Sequence, residues 1–143
     1  MTGTAESISE ILLNKLKKKF YYVDLKKLNN VEIVKLDVYD YIIIFLSTTG
    51  DGEQPDNAIK FFKKIRKYKE TKLENKKYAI LGLGSSDYNN FCHASKCLYR
   101  VFKRLKMKEF INIEYADDAT GLEIIVEPWL DKVVSYLFDE KNK

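Results

Sequence analysis

The chain is poor in the residues that carry several common chemistries: two cysteines, two prolines, one histidine and one tryptophan in 143 residues. Cys92 and Cys97 lie five apart on one predicted helix. That spacing suits neither a zinc knuckle nor a disulfide framework, so both read as reduced thiols in a cytosolic protein. The lone His93 falls at a predicted helix start and reads as a packed or surface imidazole, not a catalyst. No apolar run is long enough to cross a membrane, which argues against insertion. Met1 to Glu10 is polar and carries acids where a signal peptide would carry bases. There is no internal repeat and no linker, and the length allows one domain with a real core but not two.

What is present is globular, with 45% hydrophobic residues and a net charge of +4. The positive balance comes from lysine-rich runs, Lys15 to Lys19 and Lys60 to Lys67, on the polar faces of predicted helices. These read as solvated surface. No aromatic residues interleave with a basic stripe, which argues against nucleic acid as a partner.

The stretch Leu81 to Cys92 organises the rest. It follows the apolar run Tyr78 to Leu81, a buried strand, and precedes a helix with Phe91, Ala94, Leu98, Val101, Phe102 and Leu105 on one face. Gly82, Gly84, Ser85, Ser86, Asp87 and Tyr88 lie between. Glycines permit close approach of a ligand, and a tyrosine at a strand's carboxyl end can cover a flat ring. The alternative is an ordinary turn with a tyrosine packed on its own loop.

Two more loops have the same character. Thr2 to Glu6 leads into a helix with Ala5, Ile8, Ile11, Leu12 and Leu16 on its apolar face. Small hydroxylated residues at a helix start present free N–H groups to an anion, or simply cap the helix. Tyr41 to Leu46 is apolar on both faces, as a central parallel strand is, and ends in Ser47 to Asn57. That segment reads as a binding loop or a flexible connection, followed by a helix with Ala58, Phe61, Phe62 and Ile65 inward. Phe20 to Asp24 and Phe110 to Glu114 are predicted as further strands. Thr120 to Glu123 has the form of a capping box opening a last helix, whose apolar side is Leu122, Val126, Trp129, Leu130, Val133 and Leu137 and whose start is complicated by Pro128. The alternation of strands and helices predicts an α/β fold with a doubly wound parallel sheet in a single domain spanning 1–143. All three loops then fall on the carboxyl edge of that sheet, where ligands bind.

Thr2-Gly3-Thr4-Ala5-Glu6, Ser47-Thr48-Thr49-Gly50-Asp51-Gly52 and Gly82-Leu83-Gly84-Ser85-Ser86-Asp87-Tyr88 resemble the three FMN loops of flavodoxin-like domains in diflavin reductases. Ala116 to Glu123, ending in Val126-Glu127-Pro128-Trp129, is similar to the tail of that domain in the methionine synthase reductase type. The resemblance covers nearly the whole chain. It implies strand order 2-1-3-4-5 with helices on both faces and FMN as cofactor. Thr2, Gly3, Thr4 and Ala5 would hold the phosphate. Thr48, Thr49 and Gly50 would line one side of the isoalloxazine, with the Gly50 carbonyl facing the flavin N5–H, and Tyr88 would stack on the other side. Ser47, Gly52, Leu83, Gly84, Ser85, Phe91 and Cys92 would complete the site. Asp87, Asp117 and Asp118 would lie near the ring or ribityl chain and lower the flavin potential.

There are departures. Thr49 stands where some relatives have a second tyrosine, and Ser85 replaces the usual Asp or Asn. Only Met1 precedes the phosphate loop, so the family's first strand is missing. The expectation is a chain truncated at its start, or another segment in that slot, with poor solubility or weak FMN binding as the consequence. The function implied is an electron-transfer domain of an NADPH-dependent diflavin oxidoreductase, without turnover of its own. It would take single electrons from an FAD/NADPH reductase module, on the same longer chain or a separate one. Acids gathered at the flavin edge (Asp51, Glu53, Asp56, Asp87, Asp117, Asp118) would suit a basic redox protein as acceptor. The alternative is a flavodoxin-like interaction module that does not bind FMN.

Overall fold

The computed structural model describes residues 2–20, 22–48, 58–88 and 90–143, with side chains from Thr4 onward. Its centre is a pair of parallel strands, β1 (Tyr41–Ser47) and β2 (Lys77–Gly84), in register from Tyr41 opposite Lys77 to Ser47 opposite Leu83. The other flank of β2 is filled by two short strands in one line. β3 (Lys108–Glu109) pairs with its start, and β4 (Glu114–Asp117) pairs with Leu81 to Gly84. Every pairing is parallel, so β2 is covered on both faces, and every residue of it after Lys77 is buried.

Among the described residues four helices supply the cover: α1 (Thr2–Leu16), α2 (Ile59–Lys67), α3 (His93–Arg104) and α4 (Glu123–Lys141). On one face, Ile42, Ile44, Leu46, Tyr78 and Ile80 pack against Phe61, Phe62 and Ile65 of α2 and Ala94, Leu98 and Phe102 of α3. On the other, Ala79, Leu81 and Leu83 meet Ile8, Leu12 and Leu16 of α1 and Trp129, Leu130 and Val133 of α4. Strand alternation thus feeds two separate cores, as a doubly wound sheet requires. At about 1.5–3 kcal/mol per fully buried large apolar side chain, these two layers are the main stabilising term.

Four sequence expectations are corrected. Phe20 and Tyr22–Asp24 form no strand: among the described residues β1 pairs only with β2, and Phe20 packs instead on Phe138, centroids 6.0 Å apart. The strand predicted over Phe110 to Glu114 is displaced and broken. The Glu109 carboxylate accepts the Ile113 N–H at 2.8 Å and the Asn112 carbonyl accepts Trp129 Nε1–H at 3.1 Å, so side chains occupy the backbone where a ladder would run. The capping box is not formed. Gly121 has φ 106°, outside the helical region, so α4 starts at Glu123 and then continues through Pro128. Ile11 is 48% exposed and does not belong to the buried face of α1.

Candidate cofactor-binding edge

The carboxyl ends of β1, β2 and β4 bring Ser47, Gly84 and Asp117 to one edge of the sheet. The start of α1 belongs to the same edge. Lys15 pairs with Asp131 at 3.8 Å and, further on, Phe20 meets Phe138, so α1 and α4 run in the same direction. The amino end of α4 follows directly on β4, and α1 begins on that side too. Thr2 to Ala5 form the first turn of α1 itself, and their N–H groups have no intrahelical acceptor. Thr4 and Ala5 are half-buried.

The two residues closing β1 face opposite ways. Thr48 continues the even-numbered side toward α3, where its buried Oγ1 accepts the Ala94 N–H at 3.1 Å. Ser47 therefore points to the α1 and α4 side. It is 4% exposed, and its Oγ lacks a hydrogen-bond partner among the described residues. An orphaned buried hydroxyl on the side of a free helix start is what an anionic or hydroxylated ligand would satisfy. Thr49, Gly50 and Gly52, with Asp51, Glu53 and Asp56, lie outside the described residues.

The third loop is held by its neighbours. Asp117 Oδ1 accepts the Ser86 N–H at 2.9 Å and the Ala119 N–H at 3.0 Å. Hydrogen bonds from Ser86, then the one from Ala119, hold the Asp117 carboxyl below its ordinary range. The Asp118 N–H donates to the Gly84 carbonyl at 2.8 Å, and the Asp118 side chain is exposed. The Asp87 N–H donates to Ser85 Oγ at 3.3 Å, and the Tyr88 N–H to the Ser85 carbonyl at 3.2 Å. This turn leaves Tyr88 58% exposed beside the edge. Phe91 leans edge-on toward Tyr115, centroids 6.4 Å apart. Cys92 is fully buried with φ 53°, and burial pushes its thiol up to about 12.

Gly82 and Gly84 serve the fold more than close ligand approach. A Cβ on Gly82 would collide with Ser95 Oγ, and one on Gly84 would stand 3.2 Å from both the nitrogen and the sulfur of Cys92. The space beside each is filled by the chain itself. Leu83 is a core side chain whose carbonyl accepts the Thr48 N–H at 3.0 Å. The edge thus gathers the starts of α1 and α3, Ser47, Ser85, Asp87, Tyr88, Asp117 and Asp118. It does not bring the side chains of Leu83, Cys92 or Thr48 to the open side. Sequence reasoning missed the clamping role of Asp117, although its bond to the N–H two residues on is an Asx-turn, which is a local signal.

The model of the flavodoxin family matches residues 1–129. Methionine synthase reductase of Mus musculus is 33% identical over 132 residues, 90% of this chain and 19% of that protein. The sulfite reductase [NADPH] flavoprotein alpha-component of Mannheimia succiniciproducens is 29% identical over 133 residues, 93% of this chain and 22% of that protein. Oxidised flavodoxin 2 from Bacillus cereus superposes with a TM-score of 0.79 at 25% identity, covering 97% of this chain and 93% of that one. Streptococcus pneumoniae TIGR4 flavodoxin gives 0.71 at 28% identity, over 92% and 93%.

An α/β protein with a parallel sheet and its open loops on one carboxyl edge is what the fold defines. The chain belongs to the flavodoxin family. It spans about a fifth of the length of the curated relatives it matches. FMN is the cofactor of that family, and the residues present fit it: a helix start for a phosphate, a buried hydroxyl without a partner among the described residues, and an exposed tyrosine at one edge. No helix among the described residues is long and apolar enough to cross a membrane.

Proposed function

We propose that residues 1–143 act as a single FMN-binding electron-transfer domain of an NADPH-dependent diflavin oxidoreductase. The observation that supports this reading best is the Ser47 hydroxyl, without a partner among the described residues and buried on the side of the α1 start, at the edge that also bears Tyr88. Bound FMN supplies a carrier that takes and gives electrons one at a time. The protein's part is to bind, orient and shield it. The first turn of α1 (Thr2, Gly3, Thr4, Ala5) and Ser47 hold the phosphate end. Thr49, Gly50 and Gly52 belong to the loop on one side of the ring, and Tyr88 stacks on the other. Ser85, Asp87 and Asp118 place polar groups around the ring and ribityl chain. Gly84, Leu83, Phe91 and Cys92 shape the loop from behind.

The electrons come from an FAD/NADPH reductase module and go to a protein acceptor. Asp87, Asp117 and Asp118 around the edge favour an acceptor with a basic docking face. Two unpaired cysteines suit the reducing cytoplasm. The test is the visible spectrum of protein incubated with FMN and freed of excess. A retained, perturbed flavin spectrum supports the reading. A colourless protein would support the alternative, an interaction module without cofactor.

A further inference from the structure

Helix α3 starts without a cap of its own. Its N-cap residue is Cys92, in the left-handed region, and it makes no side-chain bond to the first turn. The first amides still need acceptors where water cannot reach them. The His93 N–H finds the Asn90 carbonyl at 3.1 Å. The Ala94 N–H, on a residue with no exposed surface, is taken by Thr48 Oγ1, 46 positions away. Thr48 is itself fixed, because its own N–H extends the β1–β2 ladder to the Leu83 carbonyl.

We propose that Thr48 is a positioning residue, setting the third loop against the second through the start of α3 and not by contact with the cofactor. This rests on the reading that the edge binds FMN. The described residues of the third loop, Ser85 to Tyr88 and Asn90 to Cys92, lie between two anchors. One is Gly84, held by β2 and by the Asp118 N–H. The other is the first turn of α3, held by Thr48. Cys92, between them, keeps a backbone conformation that an L-residue adopts only when its surroundings impose it. Gly84 closes on it from one side, and the anchored helix fixes it from the other. Without the Thr48 acceptor, the Ala94 N–H is buried unpaired, and the first turn must shift to find another partner. Cys92 and the loop bearing Tyr88 shift with it. The neighbouring Ser47 is then the hydroxyl left for a ligand, and the two adjacent hydroxyls divide the work.

The test compares Thr48→Val, which keeps shape and removes the acceptor, with Thr48→Ser, which keeps it. Amide exchange at Ala94, Ser86 and Tyr88 is read in the cofactor-free protein, and FMN affinity by flavin fluorescence. The valine variant is expected to exchange about tenfold faster at all three amides and to bind FMN about tenfold more weakly, with serine restoring both to within about twofold. Weaker FMN binding with unchanged exchange would make Thr48 a direct contact, and faster exchange at Ala94 alone, or with unchanged affinity, would make it a cap and nothing more. Either overturns the proposal. Should the valine variant not fold, the unsubstituted protein still decides, because an Ala94 amide that exchanges freely has no Thr48 acceptor. Failure of the unsubstituted protein to bind FMN is a separate result, against the functional reading, and leaves the exchange comparison intact.

Discussion

Asp117 and Ser86 are joined across two strand ends: the carboxylate at the end of β4 holds the amide of the first loop turn after β2 at 2.9 Å. The same oxygen takes the Ala119 N–H, so one carboxylate ties two loops of the edge together.

Because these bonds are stronger to the charged form, they lower the folded-state pKa of Asp117 below its ordinary 3.8. The sign follows by linkage. The contribution is fully present above about 3.8 and is lost as pH falls through the depressed folded value. Asp117→Asn should therefore be less stable than the unsubstituted protein at neutral pH, and the difference should shrink as pH falls below about 3.8. Denaturant melts of both proteins across pH 3 to 7 (roughly the carboxylate range) check this. A difference independent of pH would mean that the carboxylate charge is not what holds the loops.

Gly82 faces Ser95 of α3, with Ser95 Cβ and Tyr115 Cδ1 each 3.1 Å from where its Cβ would be. Gly82→Ala should cost about 1–3 kcal/mol by overpacking. Ser95→Ala alone loses the bond from Ser95 Oγ to the Cys92 carbonyl, about 1 kcal/mol. Together they should cost less than their sum, since the second removes the atom the first collides with. Strict additivity in chemical denaturation would contradict this packing.

The two thiols differ in environment. Cys92 has no exposed surface, while Cys97 is half-buried with its Sγ 3.4 Å from His93 Nε2 on the outside of α3. An aromatic disulfide reagent should modify one thiol in the folded protein and the second only in denaturant. Cys97→Ser should abolish the native reaction. Two thiols reacting at similar rates would show that Cys92 is not enclosed.

Much of this was legible from local pattern. Period-two and continuous apolar runs marked β1 and β2, and helical spacing marked the inward faces of α2, α3 and α4, because burial there depends on residues a few positions apart. What escaped depends on distant partners. Phe20 and Tyr22–Asp24 have strand-like residues but no ladder among the described residues, and the predicted Phe110 to Glu114 strand is broken by Trp129 and Glu109. The glycines of the third loop were visible as permissive residues, yet only the fold shows that Ser95 and Cys92 fill the space beside them. Thr48 reads from the sequence as a ring-lining hydroxyl, and only the fold shows the start of α3 donating its Ala94 N–H to it.

The central claim is that this edge binds FMN against Tyr88, and a fluorescence titration of FMN into the purified protein tests it most directly. The unsubstituted protein should bind saturably at one FMN per chain. Tyr88 is 58% exposed, so Tyr88→Ala should leave stability within about 0.5 kcal/mol. It should weaken binding by about 0.5–1.5 kcal/mol for the lost stacking, plus the lost contact area. No saturable binding, or equal affinity in the two proteins, would contradict the account.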